Sequence, residues 1–273
     1  MEVKTLGSVS PNSNGNKNGV GYLVKSGDYK VLLDAGSGIT GLMNLDEDLN
    51  NLIIKISHLH ADHYMELLSL AYASFVRHNL GYLNKRIKVY LPEPDYYYET
   101  EYYGDNQSGW GQREVRKEIP VHVLLNHIEN YFEFINYDEK SKIKHGDMII
   151  TSSKNPHDVK CYSTKIDNGK ASVVYSGDTG FIGNSLETFS KDADLLICES
   201  TFLKGQPKKG NNHLYAYEAG LIANGANVKE LMLTHFWPDI DKQSYVDEAK
   251  EEYYGPVRAS EEGEVIKLGG IKW

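Results

Sequence analysis

The sequence predicts an α+β fold, an αββα sandwich in which two mixed β-sheets pack face to face and helices cover both outer faces. Two observations support this fold class. Short β-type runs alternate with helix-type runs along the whole chain, and sheet meanders occur together with crossover helices. That mixture favours two sheets between helices over one parallel sheet. The 273 residues contain no long linker and no tandem repeat, so we interpret residues 1–273 as a single domain.

The first elements form a predicted meander. Turns rich in Asn, Gly and Ser separate three short apolar runs, a pattern that is typical of consecutive strands. These strands are expected at residues 2–6, 20–25 and 29–33. Asp34 and the glycines that follow it then make a turn into a short helix, after which residues 52–56 are expected to form a buried strand.

Helices and strands alternate through the rest of the chain. Apolar residues recur through residues 62–77 as they do in a largely buried helix, and further helices are expected at 215–223 and 244–252. A last hairpin is expected around Glu262-Gly263. The remaining strands are expected at residues 87–91, 148–152, 159–164, 172–175, 195–198 and 230–233.

A Tyr-rich, acidic segment at about 93–118 differs from this pattern. It contains five of the chain's 20 tyrosines, and its seven acidic residues outnumber its three basic ones. We interpret it as an excursion from the core. It is either a solvated loop or subunit contact, or a lid or arm that contacts the substrate.

The composition is that of a globular protein, with 40% hydrophobic and 25% charged residues. No apolar run approaches the roughly 18 residues that span a bilayer, and the first residues lack the features of a secretory signal. Cys161 and Cys198 have no paired spacing, which predicts buried thiols and excludes a disulfide scaffold. We therefore expect a cytoplasmic protein with no membrane partner. The net charge of -9 disfavours a protein that binds the nucleic-acid backbone.

The strongest functional signal is the segment His58-Leu59-His60-Ala61-Asp62-His63, which follows a predicted strand and begins a predicted helix. A chain of this length would contain such a pattern by chance only about once in a thousand. His58 and His60 alternate on extended chain and point the same way, while Asp62 and His63 can face a second position just beyond. This geometry suits two adjacent metal ions. The alternative is that Asp62 only caps the helix.

A dinuclear site needs further ligands from elsewhere in the chain. Three candidates lie at the ends of predicted strands or between them: His157, Asp178 and His235. Each of them taken alone is a turn aspartate or a loop histidine. Together with the histidine motif they become candidate metal ligands.

This ordered set of residues resembles the metallo-β-lactamase fold superfamily, and the resemblance runs from the opening meander to the final hairpin. It implies one metal ion held by His58, His60 and His157, a second held by Asp62, His63 and His235, and Asp178 bridging the two. Asp34 resembles the turn that precedes the motif in relatives, but a purely structural turn is the preferred interpretation of this residue.

The donor types agree with this resemblance. Imidazole and carboxylate without thiolate favour Zn²⁺, with Mn²⁺ or Fe²⁺ as alternatives. Two divalent ions about 3.5 to 4 Å apart can hold a bridging hydroxide at neutral pH and polarise the group that it attacks. Hydrolysis is therefore the expected reaction.

Single residues separate the branches of the superfamily. His60 stands where the flavin-coupled di-iron branch has glutamate, and Asp178 stands where the best-known antibiotic-destroying lactamases have cysteine. Glu199 and His213 resemble the glutamate and histidine of ribonuclease Z-like phosphodiesterases. In that group the histidine contacts the phosphate and helps the leaving oxygen depart, and the glutamate orients the histidine. The resemblance therefore assigns catalytic roles to Asp62, Glu199 and His213.

The chain departs from the tRNA-processing members of that group. Only 20 residues separate His157 from Asp178, too few for the basic arm that grips tRNA, and the segment at 93–118 is acidic. We expect a phosphodiesterase whose partner is a small or cyclic phosphodiester rather than RNA. A tRNA 3′-processing endoribonuclease, a thioester or lactone hydrolase and a non-catalytic phospholigand-binding module remain open alternatives. The resemblance also implies a homodimer.

Overall fold

The computed structural model describes residues 1–15, 17–93, 96–105, 109–118, 128–208 and 210–269. In chain order, the strands are β1 (Glu2–Gly7), β2 (Gly21–Ser26), β3 (Tyr29–Leu33), β4 (Leu52–Lys55), β5 (Ile87–Pro92), β6 (Tyr96–Asp105), β7 (Gly109–Glu118), β8 (Phe132–Tyr137), β9 (Ile143–His145), β10 (Met148–Lys154), β11 (Tyr162–Asp167), β12 (Ser172–Tyr175), β13 (Leu195–Glu199), β14 (Leu231–Thr234), β15 (Val257–Ala259) and β16 (Val265–Lys267). The helices are α1 (Leu45–Asp48), α2 (Ala61–Tyr64), α3 (Leu67–Asn79), α4 (Ser185–Phe189), α5 (Ala216–Gly225) and α6 (Lys242–Ala249), with a 3-10 helix at Ile39–Leu42. Among these described elements, no helix is both long enough and apolar enough to cross a membrane.

Most of the strands belong to two seven-stranded mixed sheets. The first sheet has the order β16-β1-β2-β3-β4-β5-β8, and the second has the order β15-β14-β13-β12-β11-β10-β9. β6 and β7 pair only with each other, as an antiparallel ribbon. The predicted αββα sandwich is therefore confirmed.

Three buried apolar layers hold the sandwich together. Val31, Tyr175 and Ile197 belong to the layer between the two sheets. On the outer face of the first sheet, α3 buries Leu67 and Leu70, while α5 and α6 cover the outer face of the second sheet. Each aliphatic side chain removed from water in these layers stabilises the fold by about 1.5–3 kcal/mol.

Parallel strands position the functional residues. β3, β4 and β5 run parallel in the first sheet, and β12, β13, β14 and β15 run parallel in the second. All residues of β4, β12, β13 and β14 are buried, as expected for parallel strands covered on both faces. Ligands bind outside the carboxyl ends of such strands. The histidine motif, Asp178, Glu199 and His235 lie at or shortly after these ends, whereas His157 lies between the antiparallel strands β10 and β11 and His213 lies in the loop before α5.

The predicted helix at 62–77 is wrong as a single element, because α2 and α3 are separate. The chain between them pairs with the turn after β3: the Ala35 N–H donates to the carbonyl of His63 (2.7 Å), and the Glu66 N–H donates to the carbonyl of Ala35 (2.9 Å). The Glu66 carboxylate also accepts from the Gly38 N–H at 3.0 Å. These tertiary hydrogen bonds end the first helix before the apolar periodicity ends.

The predicted hairpin around Glu262-Gly263 is also wrong. β15 pairs with β14 in the second sheet, whereas β16 pairs with β1 in the first. The connection crosses the end of the sandwich and is held by β1, because the Gly263 N–H donates to the Thr5 carbonyl and the Thr5 N–H donates to the Glu264 carbonyl.

Two other differences concern strands. The strand expected at 159–164 lies at Tyr162–Asp167, because the residues before it form a turn in which the Asn155 N–H donates to the Cys161 carbonyl at 2.9 Å. β8 and β9 were not predicted. The excursion at 93–118 contains the β6–β7 ribbon, but residues 94–95 and 106–108 lie outside the described residues.

Candidate metal centre

The histidine motif spans the end of β4 and the start of α2, as the sequence predicts. His60 is extended (φ -82, ψ 144) and precedes α2, which carries Asp62 and His63. His58 and His63 are fully buried, and His60 is half-buried. The change from extended chain to helix therefore divides the motif between two neighbouring groups of ligand atoms.

The first group joins two residues of the motif to the loop before β11 and the loop after β12. His60 Nδ1 lies 3.1 Å from His58 Nε2 and 3.4 Å from His157 Nε2. His58 Nε2 lies 3.6 Å from Asp178 Oδ2. One ligand atom from each of these four residues lies within 4.8 Å of the others, a spacing suited to one metal ion.

The second group joins the helical part of the motif to the loop after β14. His63 Nε2 lies 3.3 Å from His235 Nε2 and 3.5 Å from Asp62 Oδ2, and these three residues also offer ligand atoms within 4.8 Å of one another. The Ser10 hydroxyl donates to Asp62 Oδ2 at 2.6 Å. This hydrogen bond holds the carboxylate beside the two imidazoles.

Asp178 lies between the two groups. Its Oδ2 is 3.2 Å from His235 Nε2, and its Oδ1 is 3.5 Å from His63 Nε2. Together with the contact to His58, this is the position of a bridging carboxylate. The structure thus brings together all seven residues that the resemblance assigns to metal binding.

In two histidines, a hydrogen bond from Nδ1 to an acceptor leaves Nε2 as the nitrogen that can bind a metal ion. Nδ1 of His63 faces Asp34 Oδ2 at 2.7 Å, and Nδ1 of His157 faces the Asn212 carbonyl at 3.0 Å. Both partners only accept, so each Nδ1 carries the proton and donates. The neutral form of each ring then presents an unprotonated Nε2 to the centre.

Hydroxyl groups fix two more rings in the same way. The Ser57 hydroxyl donates to Asp34 (2.7 Å) and therefore accepts from His58 Nδ1 (3.0 Å). The Thr201 hydroxyl donates to Glu199 (2.8 Å) and therefore accepts from His235 Nδ1 (2.7 Å). Four imidazoles thus direct their Nε2 lone pairs into the two groups of ligand atoms. These lone pairs repel one another unless a cation lies between them.

The residues fit a divalent metal pair on two independent grounds. Asp178 Oδ1 is buried and has no hydrogen-bond partner, whereas a buried carboxylate oxygen ordinarily has one. The donors are imidazole nitrogens and carboxylate oxygens, which are the ligands of zinc and of related divalent ions. A bound ion supplies the missing partner for the carboxylate and separates the converging lone pairs.

The electrostatics of the ligands follow from burial and charge. Burial lowers the pKa of His58 well below its ordinary value and also lowers the pKa of His60. At His63, burial is opposed by the carboxylates of Asp178 and Asp34, which raise the pKa of this histidine well above its ordinary value. The first two rings are therefore neutral ligands, while the surroundings of His63 favour positive charge, which a proton or a metal ion supplies.

Asp34 is part of the site rather than only a turn residue. Its carboxylate is fully buried and accepts hydrogen bonds from the Ser57 N–H (2.6 Å), the Ser57 hydroxyl and His63, as well as from the Tyr175 hydroxyl (2.6 Å). Its backbone is left-handed (φ 57), as is that of His235 (φ 63). Strained backbone of this kind persists where the surroundings hold it, commonly at functional sites.

Glu199 and His213 form a hydrogen-bonded pair beside the ligand groups. His213 Nδ1 lies 3.1 Å from Glu199 Oε1 and 3.7 Å from Asp178 Oδ2. Burial opposes protonation of His213, but the carboxylate of Glu199 prevails and raises the pKa of His213 to about 9. Burial acts to raise the pKa of Glu199, but the facing histidine lowers it. Because Nδ1 donates to the carboxylate, Nε2 carries the proton that His213 can give away.

A shallow cavity of about 220 Å³ opens onto these groups. It is lined by ligands from both groups, by His213 and by two aromatic rings, those of Phe202 and Trp237. The two rings lie 6.0 Å apart between centroids, and Trp237 is 42% exposed. The cavity therefore combines the candidate metal ligands, a proton donor and an aromatic wall.

Several residues of this site were missed or given no role by the sequence argument. Thr201, Ser10 and Trp237 lie in no motif, and Asp158 lies 3.6 Å from His60 Nε2 although its only signal was its position next to His157. Asp34 was noticed in the sequence only because a glycine-containing turn follows it. His78 and His145 lie outside the cluster, as predicted, and His122 and His127 lie outside the described residues. Both cysteines are buried free thiols.

Comparisons with known proteins agree with this geometry. Residues 29–236 match the family described as Beta-lactamase superfamily domain. An uncharacterized protein of Mycobacterium leprae (strain TN), ML1173, is 30% identical over 250 residues, which are 91% of this chain and 82% of that protein. Ribonuclease Z of Pyrococcus furiosus is 27% identical over 286 residues, covering 92% of this chain and 91% of that protein.

One relative is similar in both sequence and structure. The probable metallo-hydrolase YhfI of Bacillus subtilis (strain 168) is 29% identical over 264 residues, which are 96% of this chain and 98% of that protein. The crystal structure of YhfI, described as a metallo-beta-lactamase fold protein, matches with a TM-score of 0.81 at 27% identity. This match covers 97% of this chain and 98% of the YhfI chain.

Proposed function

The chain belongs to the β-lactamase superfamily, and on this premise we propose that it is a dinuclear metal-dependent phosphodiesterase that hydrolyses a small phosphodiester. The family match confirms the resemblance drawn from the histidine motif, and the fold is that of metallo-hydrolases. Similarity to a ribonuclease Z supports cleavage of a phosphodiester as the reaction class.

One observation carries the proposal: the Glu199–His213 pair lies beside Asp178, the candidate bridging ligand. Hydrolysis of a phosphodiester expels an alkoxide, which needs a proton as the bond to phosphorus breaks. A thioester expels a thiolate, which can depart without such a donor. A histidine with a raised pKa at this position, 3.7 Å from Asp178, is the group that a phosphodiesterase requires.

The residues divide the reaction among them. Two divalent ions held by the ligand groups would acidify a water molecule and polarise the phosphoryl group. The hydrogen bond from Ser10 holds the Asp62 carboxylate beside the imidazoles of the second ligand group, and Asp178 lies between the two groups. His213 donates the proton of Nε2 to the leaving oxygen, and Glu199 keeps His213 protonated until then.

The size and charge of the site support a small substrate. A cavity of about 220 Å³ accommodates a phosphodiester with one ring system, and the exposed Trp237 offers that ring a stacking surface. The net charge of -9 gives little attraction for a long nucleic acid. The proposal therefore favours a small aryl or nucleoside phosphodiester over tRNA.

Zinc is the proposed metal and a homodimer the proposed assembly. The donor set of imidazole and carboxylate without thiolate supports zinc. Met65, Leu68 and Val76 lie on or just before α3 and are all exposed, which supports an apolar contact with a second copy. Light scattering of the purified protein tests the assembly, and a monomer at micromolar concentration would contradict it.

A turnover screen tests the function. Zinc-loaded protein is offered bis(4-nitrophenyl) phosphate, 3′,5′-cyclic nucleotides, a tRNA precursor, a thioester and a lactone side by side, with His213→Ala as the matched control. We expect turnover of the small phosphodiesters only. For cyclic nucleotides, His213→Ala should lower kcat by about 10²- to 10⁴-fold, the usual contribution of general acid catalysis. Turnover of the thioester or lactone alone would contradict the proposal.

A further inference from the structure

A second cavity lies at the end of the first sheet opposite the metal centre. Its volume is about 250 Å³, and its lining includes Asn51, Leu52, Ile87 and Lys88 at the starts of β4 and β5, together with His145 at the end of β9. His58 lies beyond the other end of β4, six residues after Leu52 and so up to about 20 Å from it, and no candidate metal ligand lines the cavity. The cavity is therefore separate from the candidate metal ligands.

Basic side chains dominate the rim of this cavity. Lys85, Arg86, Lys88 and Lys144 all line it and are exposed, and His145 lines it as well. Such a cluster stands out in a chain whose acidic residues outnumber its basic ones by 38 to 29. The positive charge concentrated here is the opposite of the charge of the whole protein.

No carboxylate neutralises this cluster in the described part of the chain. Within those ranges, the four cations of the rim make no ion pair shorter than 4.0 Å, and no acidic residue lines the cavity. Glu133 is the register partner of Lys88 in the neighbouring strand, but its carboxylate lies beyond that limit. Four like charges around one concave surface repel each other, and a bound anion removes that repulsion.

An apolar cavity of about 360 Å³ adjoins the basic one. Leu83, Lys85 and Arg86 line both cavities, so the two cavities lie side by side along these residues and together form a groove. Phe75 and Tyr131 line the second cavity with ring centroids 5.6 Å apart in an edge-to-face arrangement. This part of the groove suits a planar, largely apolar group next to the charged rim.

We propose that this groove binds a nucleoside phosphate, with the phosphate at Lys85, Arg86, Lys88 and Lys144 and the base against Phe75 and Tyr131. Arginine and lysine are the side chains that recognise phosphate, and an aromatic pair recognises a base through its face. The inference is independent of the proposed phosphodiesterase activity, because binding here needs neither the metal ligands nor turnover.

Calorimetric titration of adenosine 5′-monophosphate into the zinc-loaded protein tests this inference. The double variant Lys85→Ala/Arg86→Ala is compared with Lys191→Ala/Lys250→Ala, which removes two exposed positive charges elsewhere. We expect the first variant to lose one class of binding site, or to bind at that site at least tenfold more weakly. The control variant should bind as the wild type does. Zinc content and melting temperature should be the same in all three proteins.

The same titration distinguishes a nucleotide site from simpler explanations. At the site that Lys85→Ala/Arg86→Ala removes, adenosine without phosphate and inorganic phosphate without the nucleoside should each bind at least tenfold more weakly than the monophosphate. The proposal is overturned if Lys85→Ala/Arg86→Ala binds the monophosphate as the wild type does, or if the control variant loses as much affinity. Inorganic phosphate that binds at this same site as tightly as the monophosphate would overturn the assignment of the base to Phe75 and Tyr131.

Discussion

Replacing Glu199 with glutamine tests the proton-donor role of His213. The carboxylate of Glu199 overcomes the effect of burial and raises the pKa of His213 from an ordinary 6.5 to about 9. Glutamine has nearly the same shape but no charge, so it removes the cause of this increase. Burial, which remains, favours the neutral ring, so the pKa of His213 in the variant should be no higher than its ordinary value.

The size of the effect follows from the two pKa values. At pH 7.5, a histidine with a pKa of about 9 is about 97% protonated, and one with a pKa of about 6.5 is about 9% protonated. Glu199→Gln should therefore lose at least about tenfold in rate at pH 7.5. With a pKa of 6.5 the variant is about 76% protonated at pH 6, and the loss there falls below about twofold; a lower pKa increases the loss at both pH values, but the loss remains smaller at pH 6 than at pH 7.5.

The assay compares kcat/KM from pH 6 to 8 for a phosphodiester with an alkoxide leaving group and for bis(4-nitrophenyl) phosphate, whose leaving group needs little protonation. Only the first substrate should show the loss that grows with pH. In a His213→Ala background, Glu199→Gln should lower kcat/KM little further, because both residues act through the same proton. A loss that is the same at every pH and for both substrates would refute the reasoning, provided that zinc content and melting temperature match the wild type.

Four other predictions follow from the site and the core. Mass spectrometry of protein expressed with ample zinc should find about two ions per chain, and none would contradict the metal centre. Asp62→Ala should lower the turnover of bis(4-nitrophenyl) phosphate at least about 10²-fold, and unchanged turnover would remove this ligand from the mechanism. Trp237→Ala should raise the KM for aryl phosphodiesters several-fold and leave the KM for dimethyl phosphate unchanged; equal effects would exclude stacking. Burial lowers the pKa of Lys55 to about 7, so above that pH the unfolded chain binds more protons than the folded chain does. Between pH 7 and pH 10 the free energy of unfolding of the wild type, measured by urea denaturation, should therefore rise by about 3 kcal/mol relative to that of Lys55→Met. The absence of such a rise would contradict the lowered pKa.

The sequence predicted which side chains the structure brings together because metal chemistry restricts residue types and strand geometry restricts their places. His235 directly follows β14 and Asp178 lies three residues after β12, and both of these strands are short, mostly apolar and wholly buried. The carboxyl ends of such strands meet at one edge of the fold. A metal-ligating residue type at or shortly after such a run was therefore a strong sign of the site, even 115 or more residues away from His63 along the chain.

The parts that the sequence did not predict depend on tertiary contacts. The helix expected at 62–77 ends early because Ala35 and Glu66 exchange hydrogen bonds with their surroundings, which no local periodicity reveals. Thr201 is one of many threonines, and only the folded chain places its hydroxyl between Glu199 and His235. Local spacing predicts which residue types can act, but hydrogen bonds between distant strands decide how they are oriented.

Asp34 shows how the packing of the sandwich controls the orientation of a candidate metal ligand. It follows β3 of the first sheet, yet it accepts a hydrogen bond from Tyr175 at the end of β12 in the second sheet. Burial raises the pKa of Tyr175 well above its ordinary value, so the hydroxyl keeps its proton and remains a donor. The same carboxylate holds Nδ1 of His63 at 2.7 Å and so directs Nε2 toward Asp178. A shift of one sheet against the other would therefore turn His63 away from the candidate bridging carboxylate. The packing of the two sheets thus helps to define the geometry of the candidate metal centre.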